Sequence, residues 1–249
     1  RTQYESALTA YKNGHTQLAL KQLAPLMRNV DSDVYDDALI LNGTILLDKK
    51  EFKKASTSFL KVLQSQNQSP REGEACYQAS FSLYQFEQIS EALSTLDRCL
   101  KIQDLPLPFK EKTYKLAFVL YAKVNDRLRA LESLVILSEL GTSEKNDYRS
   151  RATDFVQLNL LPDELEKVVS DSKYGICQSY AKFKLGLQSY EKKDYSSAQA
   201  RLQSLISELP DTAIATKAQA ILDQIGARNR VNPNIVGAVL PLTGRHSNI

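Results

Sequence analysis

Residues 185–210 read LGLQSYEKKDYSSAQARLQSLISELP, two short helical stretches parted by the polar turn Glu191-Lys192-Lys193-Asp194. Gly186 on the first stretch and Ala198 on the second are small enough to let two helix backbones approach closely. Leu202, one turn beyond the alanine, fills the groove between them, and Pro210 closes the second stretch. Outward from this segment the same spacing recurs. Alanines stand at Ala19, Ala55, Ala92, Ala130 and Ala198, in steps of 36, 37, 38 and 68, the last being twice 34. Twelve positions before each lies a small or apolar residue: Ala7, Gly43, Ser80, Phe118 and Gly186. Four positions after each lies a bulky one: Leu23, Phe59, Leu96, Leu134 and Leu202. Polar turns sit between, as in Lys12-Asn13-Gly14-His15 and Asp48-Lys49-Lys50-Glu51. One such hairpin leaves an apolar face uncovered, so copies must stack on one another.

This pattern resembles the tetratricopeptide repeat over about residues 3–226, although the chain has no tryptophan for that family's leading position. The resemblance implies an all-α, right-handed superhelical solenoid of about six helical hairpins plus a capping helix, spanning residues 1–226. The double step hides a degenerate fifth copy between about Tyr148 and Ser170, with Glu164 at the alanine position. There Leu160-Leu161-Pro162 replaces the polar turn, and Pro162 suits the first residue of a second helix. After Pro210, Asp211 or Thr212 is placed to cap a last helix that runs to about Ile225 and ends at Gly226. Residues 227–234 are polar and proline-punctuated, as in a linker.

Composition sets the limits. Of 249 residues, 43% are hydrophobic and 24% charged, an ordinary soluble balance. Lys and Arg number 32 against 29 Asp and Glu, with no dense basic stripe, so a nucleic-acid partner is not expected. No apolar run approaches the roughly twenty residues needed to cross a bilayer. The first residue is Arg1 rather than Met, so some sequence upstream is expected to be missing from this stretch. Cys76, Cys99 and Cys177 form no CxxC pair and read as buried apolar thiols; the alternative, a Cys76–Cys99 bridge within one hairpin, requires an oxidising compartment. His15 and His246 lack neighbours at metal-ligand spacing, and the short motifs of acyl transfer and nucleotide binding are missing. No catalytic residue, metal or cofactor is therefore expected. Asn42-Gly43-Thr44 and Asn67-Gln68-Ser69 match the glycosylation pattern by chance.

A binding surface is the better candidate. In the repeat family the first helices line the concave wall where peptides dock. Transferring that register gives Tyr4, Leu8 and Tyr11 from the first copy and Ile40, Thr44 and Leu47 from the second. The third gives Tyr77, Phe81 and Tyr84, the fourth Lys115, Val119 and Lys123, and the sixth Phe183, Leu187 and Tyr190. Tyr77, Phe81 and Tyr84, at i, i+4 and i+7, form one stripe. Such rings serve either as a partner groove or as inter-repeat core. The clamp that holds chaperone-tail carboxylates is disfavoured, because its Lys, Asn and Arg positions carry Tyr4, Leu8, Leu41, Glu74 and Gln78 here.

Residues 235–249 break from the helical pattern. Ile235-Val236-Gly237-Ala238-Val239-Leu240-Pro241-Leu242-Thr243-Gly244 resembles the opening strand of type I periplasmic binding proteins, the leucine/isoleucine/valine-binding class. They are expected to be the truncated first strand of a second domain. Helical repeats followed by such a domain resemble the penicillin-binding protein activator lipoproteins of Gram-negative bacteria. That resemblance implies a periplasmic, outer-membrane-anchored parent whose repeats dock a peptidoglycan synthase. The lipid-attachment cysteine and nearly all of the second domain are missing from this stretch, so no partner-contacting residue carries over. Two alternatives are an adaptor of a periplasmic amino-acid-type solute receptor and a cytoplasmic repeat scaffold.

Overall fold

The computed structural model describes residues 1–65 and 69–230. The sequon at Asn67 and the strand expected over residues 235–249, with His246, lie outside the described residues. Thirteen α-helices occur among those described. They are α1 (Thr2–Lys12), α2 (Thr16–Leu26), α3 (Tyr35–Asp48), α4 (Phe52–Gln64), α5 (Glu72–Gln85), α6 (Ile89–Cys99) and α7 (Leu107–Lys123). The chain continues through α8 (Arg127–Glu139), α9 (Lys145–Asn159), α10 (Pro162–Ser170), α11 (Cys177–Glu191), α12 (Tyr195–Glu208) and α13 (Ala213–Arg230). Among the described residues the fold is all-α, built of successive helical hairpins. It falls into two compact units, residues 1–155 and 156–249.

The hairpin turns explain the spacing. In five copies the residue five positions before the alanine holds a left-handed backbone: Gly14 at φ 80°, Lys50 at 58°, Glu87 at 63°, Asn125 at 60° and Lys193 at 65°. Each ends its first helix with the same pair of bonds. Lys50 N–H donates to the Leu47 carbonyl at 2.8 Å, and Glu51 N–H donates to the Leu46 carbonyl at 2.8 Å. This is the Schellman closure, which satisfies the last carbonyls of the helix. The residue after the left-handed one is also the N-cap of the second helix. Ala55 N–H donates to the Glu51 carbonyl, and Ala198 N–H to that of Asp194. Three residues therefore join the two helices of each of these copies.

Only the first copy supplies glycine at this left-handed position. A Cβ added at Gly14 would meet nothing within 4 Å, so the cost of replacing it is conformational alone. Gly14→Ala is expected to destabilise by about 1 kcal/mol. The urea midpoint should fall while the helical circular dichroism spectrum stays unchanged.

In the first unit the hairpin contacts follow the predicted register. Ala7, Ala19 and Leu23 are fully buried between α1 and α2, as are Ser80, Ala92 and Leu96 between α5 and α6. At Gly43 a Cβ would stand 2.6–2.8 Å from three ring carbons of Phe59, so the glycine is what admits the phenylalanine ring. The fourth copy departs from the pattern. Phe118 occupies the small-residue position, is only half-buried, and turns to an edge-to-face contact with Phe155 at 5.8 Å. Ala117, fully buried one residue earlier, takes the close approach instead.

Cys76 on α5 and Cys99 on α6 are joined by a disulfide, with Cα atoms 5.6 Å apart, and only Cys177 remains a buried thiol. The reading of all three as thiols is thus corrected. One residue on each facing helix, packed in the same hairpin interior, brings the two sulfurs together.

In the second unit Pro162 opens α10, and the Glu164 carboxylate accepts from the Leu161 N–H at 2.8 Å. Leu165 and Val168 supply the buried face of this short helix. Lys184 on α11 donates to the carbonyls of Val156 and Leu160 at 3.3 and 3.1 Å, closing the end of α9 in place of the missing polar turn. Burial there pushes its ammonium below the usual lysine range. Gly186 packs on Leu202 as expected, a Cβ there standing 2.8 Å from the leucine methyl.

The last helix begins as expected, with the Thr212 hydroxyl accepting from Ala215 N–H at 3.3 Å. It does not end at Gly226 but runs to Arg230, so Ala227–Arg230, read as linker, are helical. The Arg228 guanidinium lies 5.8 Å from the ring centres of both Tyr190 and Tyr195 and donates to the Tyr195 hydroxyl at 2.8 Å. These contacts hold the turn beyond the glycine in helical form. Residues 231–234 lie outside the described residues.

Candidate functional site

Counted back from the left-handed turn residue, the predicted surface positions fall ten, six and three residues earlier on each first helix. Tyr4, Leu8 and Tyr11 occupy them on α1, and Tyr77, Phe81 and Tyr84 on α5; all six are half-buried against hydrophobic core. Each ring thus has one side in the core and another at the surface, which combines the two readings of the sequence.

Ile40 is a correction. It is 1% exposed within the core formed by Leu39, Ala55 and Phe59 and offers nothing to a partner. The reason is that α3 packs against α1, α2 and α4, so its buried residues extend around most of the helix. Lys123 also departs from the register, since Ala122 holds the position three before Asn125. Lys123 instead shares a shallow cleft of about 440 Å³ with Tyr84.

Polar side chains beside these rings are paired within the protein. The Tyr11 hydroxyl donates to Asp48 at 2.5 Å, and that bond raises its pKa to about 12. Arg71 bridges Asp37 and Glu74, both at 2.8 Å, so the two carboxylates of α3 and α5 are neutralised within the protein. Burial first, then the Asp37 charge, raises the Tyr4 pKa. Tyr77 stacks on Phe81 with centroids 6.1 Å apart and meets Phe109 of α7 at 6.5 Å. Burial pushes the Tyr77 phenol up.

Lys112 lies over both rings, its Nζ 6.0 Å from the Tyr77 centre and 5.7 Å from that of Phe109. It is exposed, and no described carboxylate pairs with it. Lys115 is different: Glu111 holds it at 2.8 Å and Glu144 at 3.2 Å, above the Tyr148 ring. The Glu111 hydrogen bond pushes its pKa well above the lysine range. Lys115 is therefore an internal tie, and Lys112 is the available cation of this face.

Sequence reasoning missed Phe109 and Lys112 because the transferred register begins ten residues before the turn, one helical turn after Lys112. Their i, i+3 placement in the first turns of α7, next to the Tyr77 stripe, is the signal that would have found them. In the second unit Phe183 packs against the α12–α13 core and Tyr190 is engaged, donating to Gln224 at 2.9 Å under Arg228.

Among the described residues no group of three or more His, Cys, Asp or Glu is arranged to hold a metal ion. No helix among them is long and apolar enough to cross a membrane.

Comparison with known proteins adds little to this geometry. No protein-family model matches the chain. No curated protein matches it either. Among solved structures, a similar chain is that of YrrB, described as a TPR protein with an unusual peptide-binding site. It is 16% identical, with 88% of this chain and 90% of that one covered and a TM-score of 0.37. A likeness at that level fixes neither residue correspondences nor a binding site.

Proposed function

We propose that this chain is a non-catalytic docking domain of an exported envelope protein, anchored at the outer membrane, whose partner is a peptidoglycan synthase. The observation that carries the docking role is the Tyr77–Phe81–Phe109 face with Lys112 above it. Rings that expose one side beside an uncompensated cation gain apolar burial and an ion pair when a partner covers them. An oxidising compartment is supported by the Cys76–Cys99 bridge, since buried disulfides persist where thiols are not kept reduced. The synthase partner rests on the sequence resemblance of residues 235–244.

The test uses the periplasmic part of a peptidoglycan synthase as probe, in a binding titration. Lys112→Glu, at an exposed position, is expected to leave the melting temperature within a degree or two. It should weaken binding at least tenfold, more at low salt than at high. Tyr77→Ala is expected to weaken binding further while lowering stability modestly, because that ring also touches the core. Undiminished binding by both variants would remove the face from the interface. No binding by the unaltered chain would remove the synthase.

A further inference from the structure

Seven glycines lie among the described residues, and six have an internal reason. Gly14, Gly141 and Gly175 hold positive φ, while at Gly43, Gly73 and Gly186 a Cβ would come within 2.8 Å of a neighbouring side chain. Gly226 has neither reason. It sits inside α13, where glycine weakens a helix relative to alanine, and a Cβ there would meet nothing within 4 Å. It lines a groove of about 590 Å³ between α12 and α13, with Ile206 and Leu222 as apolar lining and Gln199, Gln203 and Gln219 as polar lining.

The chemistry of this groove is that of amides. The side chains of Gln199 and Gln203 make no hydrogen bond to other described residues. Gln219 donates to Asp223 at 2.8 Å and keeps its carbonyl oxygen free. Asp223 is the one charged residue among the lining, and it is already engaged. A primary amide offers donors and an acceptor together, the same complement as a peptide group. Gln199 and Gln203 stand four residues apart on one helix, a rise of about 6 Å. Same-side groups of an extended strand repeat every two residues, about 6.6–6.8 Å. The two spacings nearly match.

We propose that this groove takes an uncharged, extended peptide segment of a partner protein. Its backbone lies against the bare Gly226 and pairs with the glutamine amides, and small aliphatic side chains rest on Ile206 and Leu222. This surface belongs to the second helix of the sixth copy and the capping helix, and it does not depend on the first-helix face.

The test is a titration of the isotope-labelled chain with acetyl-Thr-Val-Thr-Val-Thr-amide, following the side-chain amide signals of Gln199, Gln203 and Gln219 by NMR. Saturable shifts confined to these three are expected. Gly226→Leu sets its Cβ in open space and its branched end toward the groove, and should abolish the shifts while keeping the helical spectrum. Gln203→Glu, an exposed change that leaves packing alone, should weaken binding at least tenfold. The proposal is overturned if the unaltered chain gives no saturable shift or if both variants bind as well as it does. Equal shifts from versions of the peptide carrying Glu or Lys in place of Thr would also overturn it.

Discussion

Phe59→Ala is expected to lower stability by about 3–5 kcal/mol, read as a fall in the urea midpoint. The ring is fully buried on α4 and lies against the backbone of Gly43 on α3, with Ile40, Val62, Leu63 and Ala79 in the same cluster. Its removal opens a void between the two helices of the second copy, and the glycine on α3 has no side chain with which to fill it. The reciprocal change, Gly43→Ala, pushes a methyl into the ring and is expected to cost about 1–3 kcal/mol. Combined with Phe59→Leu, which retracts the ring atoms, Gly43→Ala should cost less than the two separate losses added together. A loss under about 1 kcal/mol for Phe59→Ala would mean that α3 and α4 are not held by this contact. The same logic applies at Gly186 and Leu202 in the second unit, so the pair tests the repeat rule and not merely one site.

The repeat was legible because its contacts are short-range. A small residue, an alanine twelve later and a bulky residue four beyond it all lie within one hairpin, so their spacing survives in the sequence. What failed was decided by neighbours farther along the chain. Gly226 follows an apolar stretch and reads as a stop, yet Arg228 reaches Tyr190 and Tyr195, over thirty residues earlier, and continues the helix. Ile40 carries the surface register, but α3 has helices packed on several sides. Phe118 keeps the register and loses the role, because a ring cannot lie where two backbones meet. Lys112 was missed for another reason: its significance comes from Tyr77 and Phe109, on two different helices, and from having no carboxylate beside it. Spacing reports which residues share a helix face. It does not report which charges on that face are already paired.

Removing the disulfide, as Cys76→Ala with Cys99→Ala, is expected to cost about 3 kcal/mol, the loop-closure entropy of a link spanning some two dozen residues. The bridge joins the two helices of the third copy, and both cysteines are fully buried. The loss should therefore be local before it is global. In hydrogen exchange, amides of α5 and α6 should lose protection first, while α1 and α2 keep theirs, because each copy is stabilised mainly by its own hairpin and its nearest neighbours. Reductant should shift the unaltered chain only under partial denaturation, since the sulfurs are closed to solvent in the folded hairpin. Tyr77 and Phe81 stand on the same helix as Cys76, so any loosening of α5 also disturbs the face proposed for docking. The variant without the disulfide should accordingly bind the synthase probe more weakly, although neither cysteine can touch it. Full binding and an unchanged urea midpoint would together show that α5 is held in place by the core of Ala79, Ala92 and Leu96 alone.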